Sequence, residues 1–450
     1  MGGFVSAFIT KGFSDMKYCL AIDIGASSGR HIVGWEEGGE IKTEEIYRFP
    51  NGMDTVDGHL VWDTDRLFAE VKTGIKRSLE KYPTLSSLSI DTWGVDYVLM
   101  RGDEEVKPTY AYRDSRVDVP IEEVHKIIPF AELYSRTGIQ FNSFNTIYQL
   151  YADKLAGRLY GVTDFLMIPE YLMYKLTGVK KKEFTDATTA GLVNCKTLKF
   201  DDYIWKKLGL PDCLMGEICP PGTLVGRLSD NIAKEVGGNL DVVLCATHDT
   251  ASAVEAIDME TNSPYISSGT WSLLGVKTDS AITDEGSRES DYSNEGGVGY
   301  NRYQKNITGM WIIQSLRREL CPETSYGDIA SMAQTSDFCE LFDVNDSSFM
   351  APESMKEAIR AYLISHGKSA PNTPSDYFNS AYHSLADGYR AAIYDMESNT
   401  GKSYPEIYIV GGGAKNQYLN ALTEKYTGKK VRALPIEATA IGNLKIQLKR

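Results

Sequence analysis

Apolar and polar positions follow two periods along this chain, and the switches between them predict its elements. Tyr18 to Ile24 is an apolar run with Asp23 near its end, the pattern of a buried strand. Gly25 to Gly29 is a short turn of small and hydroxyl residues. A strand resumes from His31 to Trp35, Gly38-Gly39 turns the chain, and the β-branched and aromatic residues from Ile41 to Phe49 bring it back. Leu67, Val71, Ile75 and Leu79 recur at helical spacing. Pro83 ends that helix, and Leu88 to Asp91 begins another strand.

The second half repeats the theme. Pro264 to Ser268 reads as a strand, Gly269-Thr270 as a turn and Trp271 to Lys277 as a strand. Ile307 to Leu320 and Tyr377 to Thr400 read as helices. Glu406 to Val410 is a short apolar strand entering Gly411-Gly412-Gly413, with a helix expected from Asn416 to Tyr426. Ser365 to Ser375 reads as a surface loop. Hairpin-linked strands, a helix and a further strand are the order of the ribonuclease-H-like unit on which actin-like ATPases are built. Two such halves predict an α/β chain of two ribonuclease-H-like domains facing a cleft. The boundary is placed near residue 256, giving domains at 17–256 and 257–450. Residues 1–16 read as a leader, or Met16 as the start.

Length agrees with this division: 450 residues suit two large domains. Lys plus Arg is 47 against 61 for Asp plus Glu, a net charge of -14. So acidic a chain has no electrostatic footprint for nucleic acid and is repelled by anionic membranes. No apolar run is long enough to span a bilayer. Met1 to Ser6 fits a loose myristoylation pattern, but nothing else in the sequence suggests a membrane. The 7 cysteines are scattered, with no C-x-x-C pair, and read as reduced thiols of a cytoplasmic protein. The 6 histidines show no zinc-ligand spacing.

Five segments carry candidate chemistry. Asp23 to Arg30 joins a strand-end carboxylate to a turn whose amides and hydroxyls can donate to phosphate oxygens, with Arg30 to neutralise charge. Asp23 can hold Mg²⁺ directly or through water. Ser267-Ser268-Gly269-Thr270 has the same make-up at the same place in its own half. Either alone is an ordinary turn; the pair can hold a triphosphate from two sides. Gly411 to Asn416, between a strand and a helix, suits a phosphate or an adenosine group. No Rossmann or P-loop pattern is present. Thr247-His248-Asp249-Thr250 follows the apolar run Val242 to Cys245. Its carboxylate reads as a proton acceptor for a hydroxyl, or as the cap of a helix starting at Thr250. Asp91 to Tyr97 packs two acids, an aromatic ring and a glycine into seven residues, a set that suits a sugar or a core tryptophan at a strand turn.

Together these motifs resemble the FGGY carbohydrate kinases, over residues 18 to about 447, and within them the members acting on L-rhamnulose. Asp-Ile-Gly-Ala-Ser-Ser-Gly-Arg at 23–30 is similar to the family's first phosphate motif, with Ala26 where many members have Thr. Asp-Thr-Trp-Gly-Val-Asp at 91–96, His-Asp-Thr-Ala-Ser-Ala at 248–253, Ser-Ser-Gly-Thr-Trp-Ser at 267–272 and Asn-Glu-Gly-Gly at 294–297 also match. So do Lys-Asn-Ile at 305–307, Gln314 and Gly-Gly-Gly at 411–413.

The resemblance implies Asp249 as catalytic base. It implies Gly94, His248, Asp249, Thr250 and Asn306 as sugar-binding positions. Ala26, Ser27, Ser28, Gly29, Arg30, Thr270, Gln314 and Gly412 are implied as ATP-binding positions, and Asp23 as a Mg²⁺ ligand. The implied reaction is ATP-dependent phosphorylation of the 1-hydroxyl of a ketose, with another ketose kinase, or an actin- or chaperone-like ATPase without a sugar, as the alternatives. Family members continue past the stretch that begins at Glu437, whereas this chain stops at Arg450. On that comparison the second domain reads as shortened.

Overall fold

A computed structural model describes residues 16–259, 262–434 and 437–450. The expected leader falls, except for Met16, outside the described residues.

Two six-stranded sheets organise the chain. The first contains β1 (Tyr18–Ile24), β2 (Ser28–Glu37), β3 (Glu40–Pro50), β4 (Leu85–Thr92) and β5 (Asp241–Val243). Its order is Leu224–Arg227, β5, β4, β1, β2, β3. The second contains β6 (Tyr265–Ser268), β7 (Trp271–Thr278), β8 (Asn301–Thr308), β9 (Glu406–Val410) and β10 (Lys430–Ala433). Its order is Ser293–Gly296, β8, β7, β6, β9, β10. In each sheet the first strand has an antiparallel hairpin partner on one side and a parallel strand on the other. The predicted duplication is therefore real at the level of strand order.

Helices cover these sheets, which is why β1 and β9 are buried on both faces. Helix α1 (Thr64–Lys81) is capped by Asp63, which accepts from the Arg66 amide, and it buries Leu67, Val71, Ile75 and Leu79. In the second half a 27-residue helix, Pro374–Thr400, starts with a reciprocal Thr373–Asp376 capping box. The insertion between β4 and β5 forms its own core around Trp205, Phe165 and Tyr148. It returns Glu183 and Asp186 toward the end of β5.

One expected helix is shorter than its pattern. Ile307 and Thr308 belong to β8, paired with Ser272 and Trp271, and the helix runs from Trp311 to Leu320. The ladder to β7 outweighs the helical spacing of the apolar residues there.

Division at residue 256 also leaves one element on the far side. After β10 the chain crosses back, and its last helix, Ala438–Leu448, packs on β1, β2 and β4 of the first domain. Ala440 and Leu444 join Cys19, Ala21 and Ile32 in one apolar cluster. Buried amides complete the junction. Gln447 Nε2 donates to the Leu20 carbonyl at 2.9 Å, Ser87 Oγ donates to Gln447 Oε1 at 2.7 Å, and Asn443 Nδ2 donates to Asp91 Oδ2 at 2.5 Å. Each of the two amides leaves water for hydrogen-bond partners, which offsets its desolvation.

Candidate active site

Each hydroxyl-rich turn stands at the C-terminal end of the first strand of its sheet. In the first, the Gly25 amide donates to the Ser28 carbonyl at 2.9 Å, and Asn51 Nδ2 donates to the Gly25 carbonyl at 2.8 Å. Ser27 is left exposed at the tip, with Ala26 and Ser28 half-buried beside it and Gly29 buried. Arg30 lies between two acids, donating to Asp23 Oδ2 at 2.5 Å and to Glu437.

The second turn is joined to the triglycine segment. Thr270 Oγ1 donates to Gln314 Oε1 at 3.4 Å, at the start of the helix after β8. Gly413 lies so close to Ser268 that a Cβ there would stand 1.9 Å from its Oγ. Gly412, with nothing within 4 Å of where its Cβ would be, opens to solvent. Thr270, Gln314 and Gly412 thus share one corner of the second domain, and Ala26 to Arg30 share the corresponding corner of the first.

Thr247-His248-Asp249-Thr250 lies beyond β5, where Thr92 donates from its amide to the Thr247 carbonyl at 2.9 Å. The helix Asp249–Glu255 starts one residue earlier than a capping Asp249 requires. His248 occupies the cap position, and no side chain caps the helix. The Asp249 carboxylate accepts from its neighbour Thr250 Oγ1 at 3.0 Å and is 31% exposed. It stands at the head of the helix without capping it. Glu183 fixes the loop: buried, it accepts from the Thr247 amide at 3.1 Å, from Thr247 Oγ1 at 2.7 Å, and from Thr185 Oγ1 at 2.6 Å.

Gly94 lies against Asp186 and Thr189, whose atoms would be 3.0–3.3 Å from a Cβ at that position. Next to it Val95 has φ 68, a costly conformation for a β-branched residue. Its neighbours impose it: Thr189 Oγ1 accepts from the Val95 amide, and Thr146 Oγ1 donates to the Val95 carbonyl at 2.6 Å. Asn306 shares a face of β8 with Arg302 and Gln304 and is exposed.

The aromatic residues of this segment do not line the site. Trp93 is buried against Trp62, with ring centroids 4.1 Å apart, and its Nε1 donates to Asp96 at 2.9 Å. Tyr97 is buried and donates to Asp153 at 2.5 Å. Asp96 itself accepts from two indoles and from Gln149, and burial raises its pKa to about 6. This is the core-tryptophan alternative.

Asp23 and Asp91 face each other across β1 and β4. Burial pushes both carboxyls up, well above the usual range for Asp91, and the charge of Asp249 adds to each rise. Asp91 Oδ1 is buried without a hydrogen-bond partner. This excess of negative charge is what a hard cation relieves, and carboxylate oxygens are its preferred donors. Among the described residues no three metal-ligating side chains converge closely enough to cage a metal ion by themselves. A cation here would share its coordination with a substrate's phosphates.

Glu183, Asp186 and Asn443 were missed by sequence reasoning, which reached Asp91 only as one of the two acids of its segment. Glu183 and Asp186 lie in an insertion with no glycine-rich or hydroxyl-rich signal, and Asn443 reaches the site only through the docking of the last helix.

The family model for the N-terminal domain of the FGGY family of carbohydrate kinases matches residues 18–255, and that for its C-terminal domain matches 264–449. A rhamnulokinase from Oceanobacillus iheyensis is 42% identical over 438 residues, 96% of this chain and 93% of its own. One from Halalkalibacterium halodurans is 43% identical with the same coverage. A gluconate kinase from Lactobacillus acidophilus superposes with a TM-score of 0.79 over 96% of this chain and 89% of its own. At 15% identity that likeness supports the fold alone. Matches of both domain models, in order and over nearly the whole chain, place it in the FGGY family of carbohydrate kinases, as an ATP-dependent sugar kinase.

Proposed function

We propose that this kinase transfers the γ-phosphoryl group of ATP to the 1-hydroxyl of L-rhamnulose. The observation that carries the chemistry is the Asp249 carboxylate, which heads its helix, caps nothing and stays accessible. The substrate assignment is supported by the two rhamnulokinases described above.

The phosphates are assigned to the turn Ala26 to Gly29, to Arg30 and to Thr270, with Gln314 and Gly412 toward the rest of the nucleotide. Arg30 can exchange Glu437, which is 55% exposed, for a phosphate oxygen, because a surface pair contributes little. Gly94, His248, Thr250 and Asn306 are assigned to the sugar. Mg²⁺ fits the Asp23–Asp91 pair, and when bound it neutralises charge on the phosphates. Asp249 orients the hydroxyl and accepts its proton late, since a loose transition state needs little base strength. Closing the two domains around the site excludes water and suppresses ATP hydrolysis. A cytoplasmic setting belongs to the same reading and agrees with seven free thiols. No helix among the described residues is long and apolar enough to cross a membrane.

The substrate is tested by kcat/KM over a ketose panel in a coupled ADP-release assay. L-Rhamnulose is expected to rank first, with weaker turnover of L-fuculose, L-ribulose or L-xylulose. A tenfold advantage for one of the others would overturn the substrate but not the kinase.

Two variants separate the sites. Thr270→Val removes one donor to a charged oxygen, a loss of about 1.5–3 kcal/mol. Titration should show nucleotide affinity falling about tenfold or more, with sugar binding in the absence of nucleotide unchanged. Asn306→Ala should lower kcat/KM for the ketose far more than for ATP, because a site built for a hydroxyl discriminates strongly. Equal losses for both substrates would place Asn306 outside the sugar site.

A further inference from the structure

Behind Asp249 lies a buried charge network that crosses from one domain to the other. His248 stands beside the base, its Nε2 3.6 Å from Asp249 Oδ1. Its other nitrogen, Nδ1, is 3.0 Å from Arg302 Nη2 and 3.3 Å from Glu295 Oε2. Arg302 and Glu295 belong to the second domain, on β8 and on the edge strand Ser293–Gly296. They also bind each other, Nη2 to Oε2, at 3.0 Å. Arg302 is 0% exposed, and its other two nitrogens are also bonded: Nε donates to the Gly296 carbonyl at 2.8 Å and Nη1 to Gln304 Oε1 at 3.4 Å. Burial alone would push the Glu295 carboxyl up; the Arg302 guanidinium is the main group that holds it down.

A guanidinium has five donors and no acceptor, and it stays protonated. Nδ1 makes its shorter contact, at 3.0 Å, with this donor and so offers it a lone pair; its 3.3 Å approach to Glu295 is to an oxygen that Arg302 already occupies. In a neutral imidazole the proton is then on the other nitrogen, and that nitrogen faces Asp249. The reverse tautomer would set an N–H against the Arg302 donor at 3.0 Å in exchange for the longer approach to Glu295, and would turn a lone pair toward Asp249. We propose that Arg302, held by Glu295, locks His248 as the neutral Nε2–H tautomer, so that it donates toward Asp249 and the sugar hydroxyls.

Arg302 and Glu295 are then positioning residues of the second domain that act on the base of the first. They tie the geometry of proton transfer to the seating of the two domains. The inference rests on the assignment of Asp249 as base for its consequences, but not for the tautomer itself.

The test reads the tautomer directly. Long-range proton–nitrogen correlation NMR on nitrogen-labelled wild-type protein, with the His248 signal assigned by its loss in His248→Gln, should show protonated Nε2 and unprotonated Nδ1. Protonated Nδ1, or an imidazolium at neutral pH, would overturn the proposal whatever the kinetics. Glu295→Gln and Arg302→Lys should then shift this spectrum and lower kcat about 10- to 100-fold, with KM for ATP little changed. His248→Gln, whose amide nitrogen reaches the Nε2 position, should retain more activity than His248→Asn. If both second-domain variants keep the wild-type spectrum and kcat, they do not position His248. If instead Asp249→Asn stays active while the tautomer is as expected, the base assignment fails and the tautomer stands.

Discussion

Asp249→Asn is expected to lower kcat about 10²–10⁴-fold while leaving ATP binding nearly intact. The amide keeps the size of the side chain and can still accept from Thr250 Oγ1, its one hydrogen bond at 3.0 Å. The helix behind it takes no cap from this carboxylate, so its start is undisturbed. Removing the charge should also ease the crowding among carboxylates, since Asp249 is one cause of the raised pKa of the buried Asp23 and Asp91. Folding should therefore be equal or slightly improved, and the loss confined to chemistry. Single-turnover phosphoryl transfer together with nucleotide titration separates the two. A variant retaining more than about a third of kcat would show that no proton acceptor is needed at this position.

The largest structural effect is expected from Gly442→Ala. Here the last helix crosses the helix Asp249–Glu255, and a Cβ would stand 1.7 Å from the Ser252 carbonyl oxygen and 2.6 Å from its carbon. Both obstacles are backbone, so no side chain can turn aside and the helices must separate. Overpacking of this kind costs about 1–3 kcal/mol or more. The displaced helix begins at Asp249, so kcat should fall along with the melting temperature. Gly52→Ala is the control: nothing lies within 4 Å of its Cβ position, and melting should be unchanged. A Gly442→Ala protein that melts and turns over like wild type would show that the two helices have room to separate.

What the sequence makes legible follows from which interactions are local. Strand, turn and strand at 18–37 and at 265–278 could be read because apolar runs and hydroxyl-rich turns are short-range signals. The same holds for Asp249, which stands at the end of an apolar run. The direction of Trp93 was not legible. Its partner Trp62 lies 31 positions away in a separate hairpin, and a glycine, two acids and two aromatic rings fit a core as well as a sugar. Helical spacing at Ile307 was outweighed by a ladder to β7. The docking of the last helix rests on Asn443 to Asp91 and Gln447 to Leu20, contacts that span most of the chain. Arg302 could not be distinguished from any other strand arginine until His248 and Glu295 were brought to it.

The most direct test of the account follows the phosphoryl group itself. Wild-type protein is incubated with ATP and Mg²⁺, with and without L-rhamnulose, and phosphorus NMR identifies the products. Without the ketose, only slow hydrolysis is expected. With it, ADP and a sugar phosphate esterified at the 1-hydroxyl should form in equal amounts, and Asp249→Asn should suppress both together. ATP turnover that is indifferent to every ketose, or that yields inorganic phosphate in place of the sugar ester, would contradict it.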